Sequence, residues 1–148
     1  GRGGAILGIC NGFQILTETK LLPGTLIKNS VLKFLCHDLN VIVQDTLPSP
    51  FTWGFKPSAK LNIPIAHNEG NYYINDDELK KLKFNGQIAF KYEKSFNPNG
   101  SVENIAGVLS ENGRILGMMP HPERSVFSHH NSLDGRLFFQ NLIEQLLS

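Results

Sequence analysis

Ala5-Ile6-Leu7-Gly8-Ile9-Cys10-Asn11-Gly12-Phe13-Gln14-Ile15-Leu16 is the stretch that decides the fold. Residues 5–9 form a short continuous apolar run, the pattern of a strand buried on both faces in a parallel sheet. After Cys10, Asn11-Gly12 opens Phe13 to Glu18, whose apolar spacing and helix-forming residues predict a short helix that stops before Pro23-Gly24. Strand, tight turn and helix in that order are the unit of an α/β protein.

The same stretch carries chemistry. Gly8-Ile9-Cys10-Asn11-Gly12 fits the nucleophile elbow, Gly-x-nucleophile-x-Gly, with cysteine in the serine position. Such a turn is strained, so a Cβ at Gly8 or at Gly12 is expected to collide with the neighbouring strand or helix. It exposes the sulfur at the carboxyl edge of the sheet, near a helix N-terminus whose partial positive charge favours thiolate. The backbone N–H of Asn11 would point at a developing oxyanion. The alternative is a buried structural cysteine in a glycine-rich turn; the strand and helix around the motif favour the functional reading, but short patterns recur by chance, so the motif needs a partner.

A cysteine nucleophile requires a base and a group to orient it. His121-Pro122-Glu123 follows a strand-like run ending at Met119, and Pro120 and Pro122 restrict the backbone around the histidine. His121 could take the thiol proton while Glu123 holds the imidazole tautomer. Alone, the string reads as a surface histidine with an unrelated acid; beside an elbow cysteine it completes a triad. The adjacent His129 and His130 lack a third ligand at a telling spacing, and His37 is as isolated. Cys36 sits in a strand pattern and is expected to pack as a small apolar residue.

Between the two constellations, Leu26-Ile27, Val31 to Leu35 and Leu39 to Val43 read as strands, and Thr46 to Lys60 as a long loop carrying Trp53. Ile63 to Ala66 and Tyr72 to Ile74 flank His67-Asn68-Glu69-Gly70, a polar tip between strands. Asp76-Asp77-Glu78 is expected to cap a helix running through Lys83. Gln87 to Tyr92 is a strand, and Asn97-Pro98-Asn99-Gly100 a turn. Asn104 to Leu109 and Arg114 to Met119 form an antiparallel pair across Asn112-Gly113, the strongest short hairpin signal. Asp134 to Leu147 is a closing helix, with Leu137, Phe138, Leu142, Ile143 and Leu146 at core-covering spacing.

Composition agrees with one domain over residues 1–148: 41% of the residues are hydrophobic and 18% charged. A formal net charge of +1 without any basic block leaves no electrostatic footprint for nucleic acid or an anionic membrane. No apolar run approaches the roughly 20 residues that span a bilayer, and the two cysteines make no disulfide framework. A cytosolic location is expected. The chain starts at Gly1 almost directly before a strand, so material upstream is expected to be missing.

Gly8-Ile9-Cys10-Asn11-Gly12-Phe13-Gln14, together with Met118-Met119-Pro120-His121-Pro122-Glu123-Arg124, resembles the class I (triad) glutamine amidotransferases. His67-x-Glu69-Gly70-x-Tyr72, Asn29 with Phe34 and Cys36, and Asn97 to Ser101 leading to Asn104 to Gly107 are similar to the purine-biosynthesis branch of that family. The resemblance spans nearly the whole chain. It implies an α/β, flavodoxin-like sheet flanked by helices, with N-terminal strands missing here. It also implies Cys10, His121 and Glu123 as the catalytic set, and Asn11, Gln14, His67, Glu69 and Gly70 around the bound glutamine. No cofactor or metal is implied in this chain. ATP and Mg would be used by a partner synthetase subunit that receives the ammonia, often with a small bridging subunit between the two. The missing portion would carry a Gly-Gly loop supplying a second oxyanion donor, whose loss costs on the order of 3 kcal/mol in comparable hydrolases; little glutaminase activity is expected without it. The alternatives are another cysteine hydrolase on the same scaffold, a peptidase or a DJ-1-like protein, and a non-enzymatic module binding through the Trp53 loop.

Overall fold

The computed structural model describes residues 4–28, 37–65, 69–93, 101–127 and 132–148. Strand β1 (Ile6–Ile9) runs through Cys10 into helix α1 (Asn11–Glu18). There follow β2 (Thr25–Lys28), β3 (His37–Val43), β4 (Lys60–Ile65), β5 (Glu69–Tyr73), α2 (Asp76–Asn85) and β6 (Ile88–Tyr92). β7 (Ile105–Leu109), β8 (Ile115–Met118) and α3 (Asp134–Leu147) complete the order. Six strands make one mixed sheet, β1-β8-β7-β6-β3-β4, and β2 pairs with β5 in a separate antiparallel ribbon. The β1–β8 pair is parallel, Ile9 standing opposite Met118, whereas the other ladders of the large sheet are antiparallel.

Alternation along β8 sorts the layers, because successive side chains leave opposite faces. At Gly117 the sheet is covered by α1: an added Cβ there would lie 2.3 Å from Phe13. Phe13 in turn stacks on Tyr72 of β5, ring centroids 5.5 Å apart, which fastens the small ribbon over the same face. The Met118 face is shared with Gly107 and Phe90, and Phe90 meets Phe138 of α3 edge-on at 6.2 Å. The sheet is thus sandwiched between α1 and α3, with Phe13, Phe90, Leu116, Met118 and Phe138 buried between them.

Several expectations hold: the strand–turn–helix unit at Cys10, the loop expected over Thr46 to Lys60, which ends one residue sooner because Lys60 opens β4, and the β7–β8 hairpin. At the hairpin, Gly113 has φ 73° and Asn112 Oδ1 accepts the Arg114 N–H. Others are corrected. β1 is not buried on both faces; it is an edge strand among the described residues, and Ile6 is 48% exposed. In α3, Phe138 and Leu142 are buried, but Leu137, Ile143 and Leu146 are exposed; the helix makes its main contacts with β4, at the edge of the sheet, and with the Pro122–Arg124 turn. The cap of α2 is Asn75, whose side chain accepts the Glu78 N–H at 2.8 Å, and the helix continues past Lys83 to Asn85 before Gly86. Glu69 and Gly70 belong to β5 rather than to a loop tip. His67, the Val31 to Leu35 run, Cys36, the turn at Asn97 to Gly100, and His129-His130 lie outside the described residues. Among the described residues, no helix is long and apolar enough to cross a membrane.

Candidate active site

Cys10 occupies a backbone conformation that L-residues avoid, φ 57° and ψ −105°. Strain of this kind persists where surrounding structure over-determines it, and the fixings are visible. The Cys10 N–H donates to Met118 O at 2.8 Å, extending the β1–β8 ladder, and its carbonyl accepts from Gln14 N–H, joining α1. Gly8 allows the helix to close on the strand: a Cβ there would lie 2.5 Å from Leu16 and 2.7 Å from the backbone of Gly12. The same expectation fails at Gly12, where a Cβ would meet nothing within 4 Å. Gly12 lies on the outer side of the close approach, so Gly8 alone makes room for it. Cys10 is buried, at 5% exposure, at the N-cap of α1.

On the adjacent strand, β8 ends at Met118 and the chain turns through Pro120 to His121. Because β1 and β8 are parallel neighbours, Cys10 and His121 leave the same edge of the sheet. Ile9 pairs with Met118, so His121 stands two residues further from its ladder partner than Cys10, at most roughly 7 Å of extended chain. His121 is held at its backbone by Pro64 and at its ring by Glu123. The His121 N–H donates to Pro64 O of β4 at 2.8 Å, and Nδ1 pairs with Glu123 Oε1 at 2.5 Å. An ionised carboxylate can only accept, so Nδ1 carries a proton, and in the neutral form of the ring Nε2 holds the lone pair. Nε2 is buried and has no hydrogen-bond partner among the described residues.

The Glu123 side chain is 44% exposed. Partial burial works to raise its pKa, but the hydrogen bond from His121, one from its own backbone N–H, and the positive charges of His121 in its protonated form and of Arg124 outweigh it. The carboxyl is held below its ordinary value. This is the state an orienting carboxylate needs, ionised and accepting.

The remaining residues expected around a substrate are less gathered. Asn11 is the exposed first residue of α1, next to Cys10. Gln14 donates its amide to Glu18 along the outer face of the helix at 3.1 Å. Glu69 and Gly70 open β5. A cavity of about 840 Å³ lies at the other end of the sheet, between Leu21, Pro23, Ile74, Ser110 and Ile115, beside the entry to β8 rather than its exit. Its size suits a ligand, but it touches neither Cys10 nor His121. No group of three His, Cys, Asp or Glu side chains among the described residues is arranged to hold a metal ion. Sequence reasoning missed the groups that fix the histidine turn, Pro64 and Ser125. A backbone carbonyl leaves no residue-type signal, and Ser125 is marked only by its nearness to Glu123.

The fold is that of an α/β domain with an elbow cysteine. The chain matches the family model described as CobB/CobQ-like glutamine amidotransferase domain over residues 1–140, and it belongs to that family. It is 48% identical over 148 residues to phosphoribosylformylglycinamidine synthase subunit PurQ of Jannaschia sp. (strain CCS1), covering 100% of this chain and 65% of that protein. It is 50% identical over 141 residues to the subunit of the same name from Ruegeria sp. (strain TM1040), covering 95% of this chain and 62% of that protein. Among solved structures, PurLQS from Thermotoga maritima superposes with a TM-score of 0.83 at 43% identity, over 98% of this chain and 63% of that one. The chain therefore spans a little under two thirds of the length of these relatives.

Proposed function

We propose that residues 1–148 form part of a single glutamine amidotransferase domain, that of the glutaminase subunit of a phosphoribosylformylglycinamidine synthase in purine biosynthesis, with Cys10, His121 and Glu123 as its triad. His121 Nε2 takes the thiol proton, and the Cys10 sulfur attacks the carboxamide carbon of glutamine. The tetrahedral oxyanion is met by the Asn11 N–H. As the C–N bond breaks, the imidazolium returns its proton to the leaving nitrogen, releasing ammonia and a γ-glutamyl thioester. Water, deprotonated by Nε2, attacks the thioester; glutamate leaves and the thiol is restored with its proton. Glu123 keeps the proton on Nδ1 throughout, so that Nε2 stays a base.

Asn11, Gln14, His67, Glu69 and Gly70 would bound the glutamine pocket. The ammonia would pass to a synthetase subunit, through which ATP and Mg enter the reaction, with a small bridging subunit completing the complex; no cofactor is assigned to this chain. The names of the Jannaschia and Ruegeria relatives and of the Thermotoga complex support that partner set. A cytoplasmic setting accords with it.

One observation carries the mechanism. An imidazole whose Nδ1 is committed to a carboxylate, and whose Nε2 is buried without a partner among the described residues, stands at the exit of the strand beside the elbow cysteine. The test is covalent labelling of the complete protein with a glutamine-mimicking diazo ketone, with ammonia release measured in parallel. Modification confined to Cys10, lost in Cys10→Ala together with ammonia release, is expected. Labelling by general thiol reagents but not by the glutamine analogue would transfer the site to another class of cysteine hydrolase.

A further inference from the structure

Glu123 can orient His121 only if its own backbone is fixed, and its half-exposed side chain contributes little packing. It rides on Pro122–Arg124, a single 3₁₀ turn, and such turns are weak in isolation. The restraint comes from Ser125, which is buried at 1% exposure. Its Oγ accepts the Gly135 N–H at 3.0 Å and donates to Pro122 O at 3.3 Å. Its backbone N–H also donates to Pro122 O, and its carbonyl accepts the Arg136 N–H at 3.0 Å.

The N-cap of helix α3, Leu133, supplies no side-chain cap, and the neighbouring Ser132 Oγ accepts, among the described residues, only the Asp134 N–H at 3.1 Å. Ser125 therefore satisfies N–H groups of the first helical turn from outside the helix, a cap supplied across tertiary structure. The approach is close enough to demand glycine: a Cβ at Gly135 would lie 1.8 Å from Pro122 O. The circuit then closes on the other side. Asp134 Oδ2 accepts the Asn62 N–H of β4 at 2.6 Å, two residues before the Pro64 whose carbonyl holds His121.

We infer that Ser125 is a positioning residue for the His121–Glu123 pair, its buried hydroxyl locking the Pro122–Arg124 turn to the first turn of α3. The inference deepens the glutaminase reading and rests on it for its kinetic consequence, but its geometric content is independent of the reaction. A displacement near 1 Å at a catalytic group costs up to about a hundredfold in rate. In Ser125→Ala, kcat for glutamine hydrolysis by the complete protein is expected to fall by roughly ten- to a hundredfold, with KM changing by less than about twofold. Ser125→Thr, which keeps the hydroxyl, should recover most of the rate.

Leu142→Ala, which weakens the same helix away from the turn, provides the matched control and should retain kcat at temperatures where it is folded. Carbon NMR of the Glu123 carboxyl gives a readout that does not depend on turnover. Its titration should move upward in Ser125→Ala, as the bond to His121 loosens, and stay in place in Leu142→Ala. If Ser125→Ala does not fold, Ser125→Cys, similar in size but a weak acceptor, is read in the same way. A wild-type rate and an unmoved Glu123 titration in the serine variant would overturn the inference, as would an equal loss in Leu142→Ala. Should the wild-type protein fail to cleave glutamine, the proposed function falls, and the Glu123 titration alone decides the role of Ser125.

Discussion

At Cys10 the chain is held by exclusion: a left-handed backbone, a strand and a helix pressed together over Gly8, and a ladder bond to Met118 leave the residue no other place to be. At His121 it is held by attachment. Pro64, Glu123 and, further out, Ser125 and Asp134 each contribute a hydrogen bond, and the Glu123 carboxylate is 44% exposed. Steric restraint fails abruptly, because packed atoms cannot move aside. A set of hydrogen bonds fails in steps, each loss being partial and open to replacement by water.

That contrast orders the expected effects of substitution. His121→Ala removes the proposed base and should lower ammonia release from glutamine by about a thousandfold, within the usual range for general-base catalysis; a loss under tenfold would show that the attached half of the site is dispensable. Gly8→Ala should destabilise by about 3 kcal/mol in urea denaturation, since the new Cβ meets Gly12 backbone that has nowhere to go. Glu123→Gln should cost about ten- to a hundredfold in kcat, less than at a fully buried orienting carboxylate, because water can reach the imidazole; the steady-state rate decides it.

The Glu123 titration sharpens the comparison further. Its carboxyl pKa lies below the ordinary value, so the pairing with His121 is in force above the usual carboxylate range and is lost as pH falls through the depressed value. In His121→Ala the downward influences from the imidazole vanish while burial remains, so the titration should move up, as carbon NMR would show. Gly12→Ala should change stability by no more than about 0.5 to 1 kcal/mol, with gain as the expected sign, since it adds a methyl to open space inside a helix. A loss as large as that at Gly8 would mean that the elbow is tight on both sides.

The elbow was legible because its signals are local: an apolar run, a glycine, a cysteine and a helix-forming stretch lie consecutively from Ala5 to Glu18. The β7–β8 hairpin was legible for the same reason, through Asn112-Gly113. The His121–Glu123 pair could be anticipated because the two are two residues apart and follow a recognisable strand. What escaped depends on where distant chain arrives. Pro64 reaches His121 through its carbonyl, which any residue would carry, and Ser125 caps a helix that starts nine residues later in sequence. The apolar spacing of α3 promised burial for Ile143 and Leu146, but periodicity reports which residues share a face, not how far the covering layer extends.

The ladder bond from Cys10 to the strand that leads to His121 also bears on how such a chain tolerates insertions. Everything between Ile9 and Met118 can lengthen or shorten at its loops without altering the span between sulfur and imidazole, so long as that register is kept. A single residue inserted between Met118 and His121 would shift the base directly. The stretch from Met119 to Pro120 is thus the molecule's shortest ruler, and the place where an indel would be least forgiven.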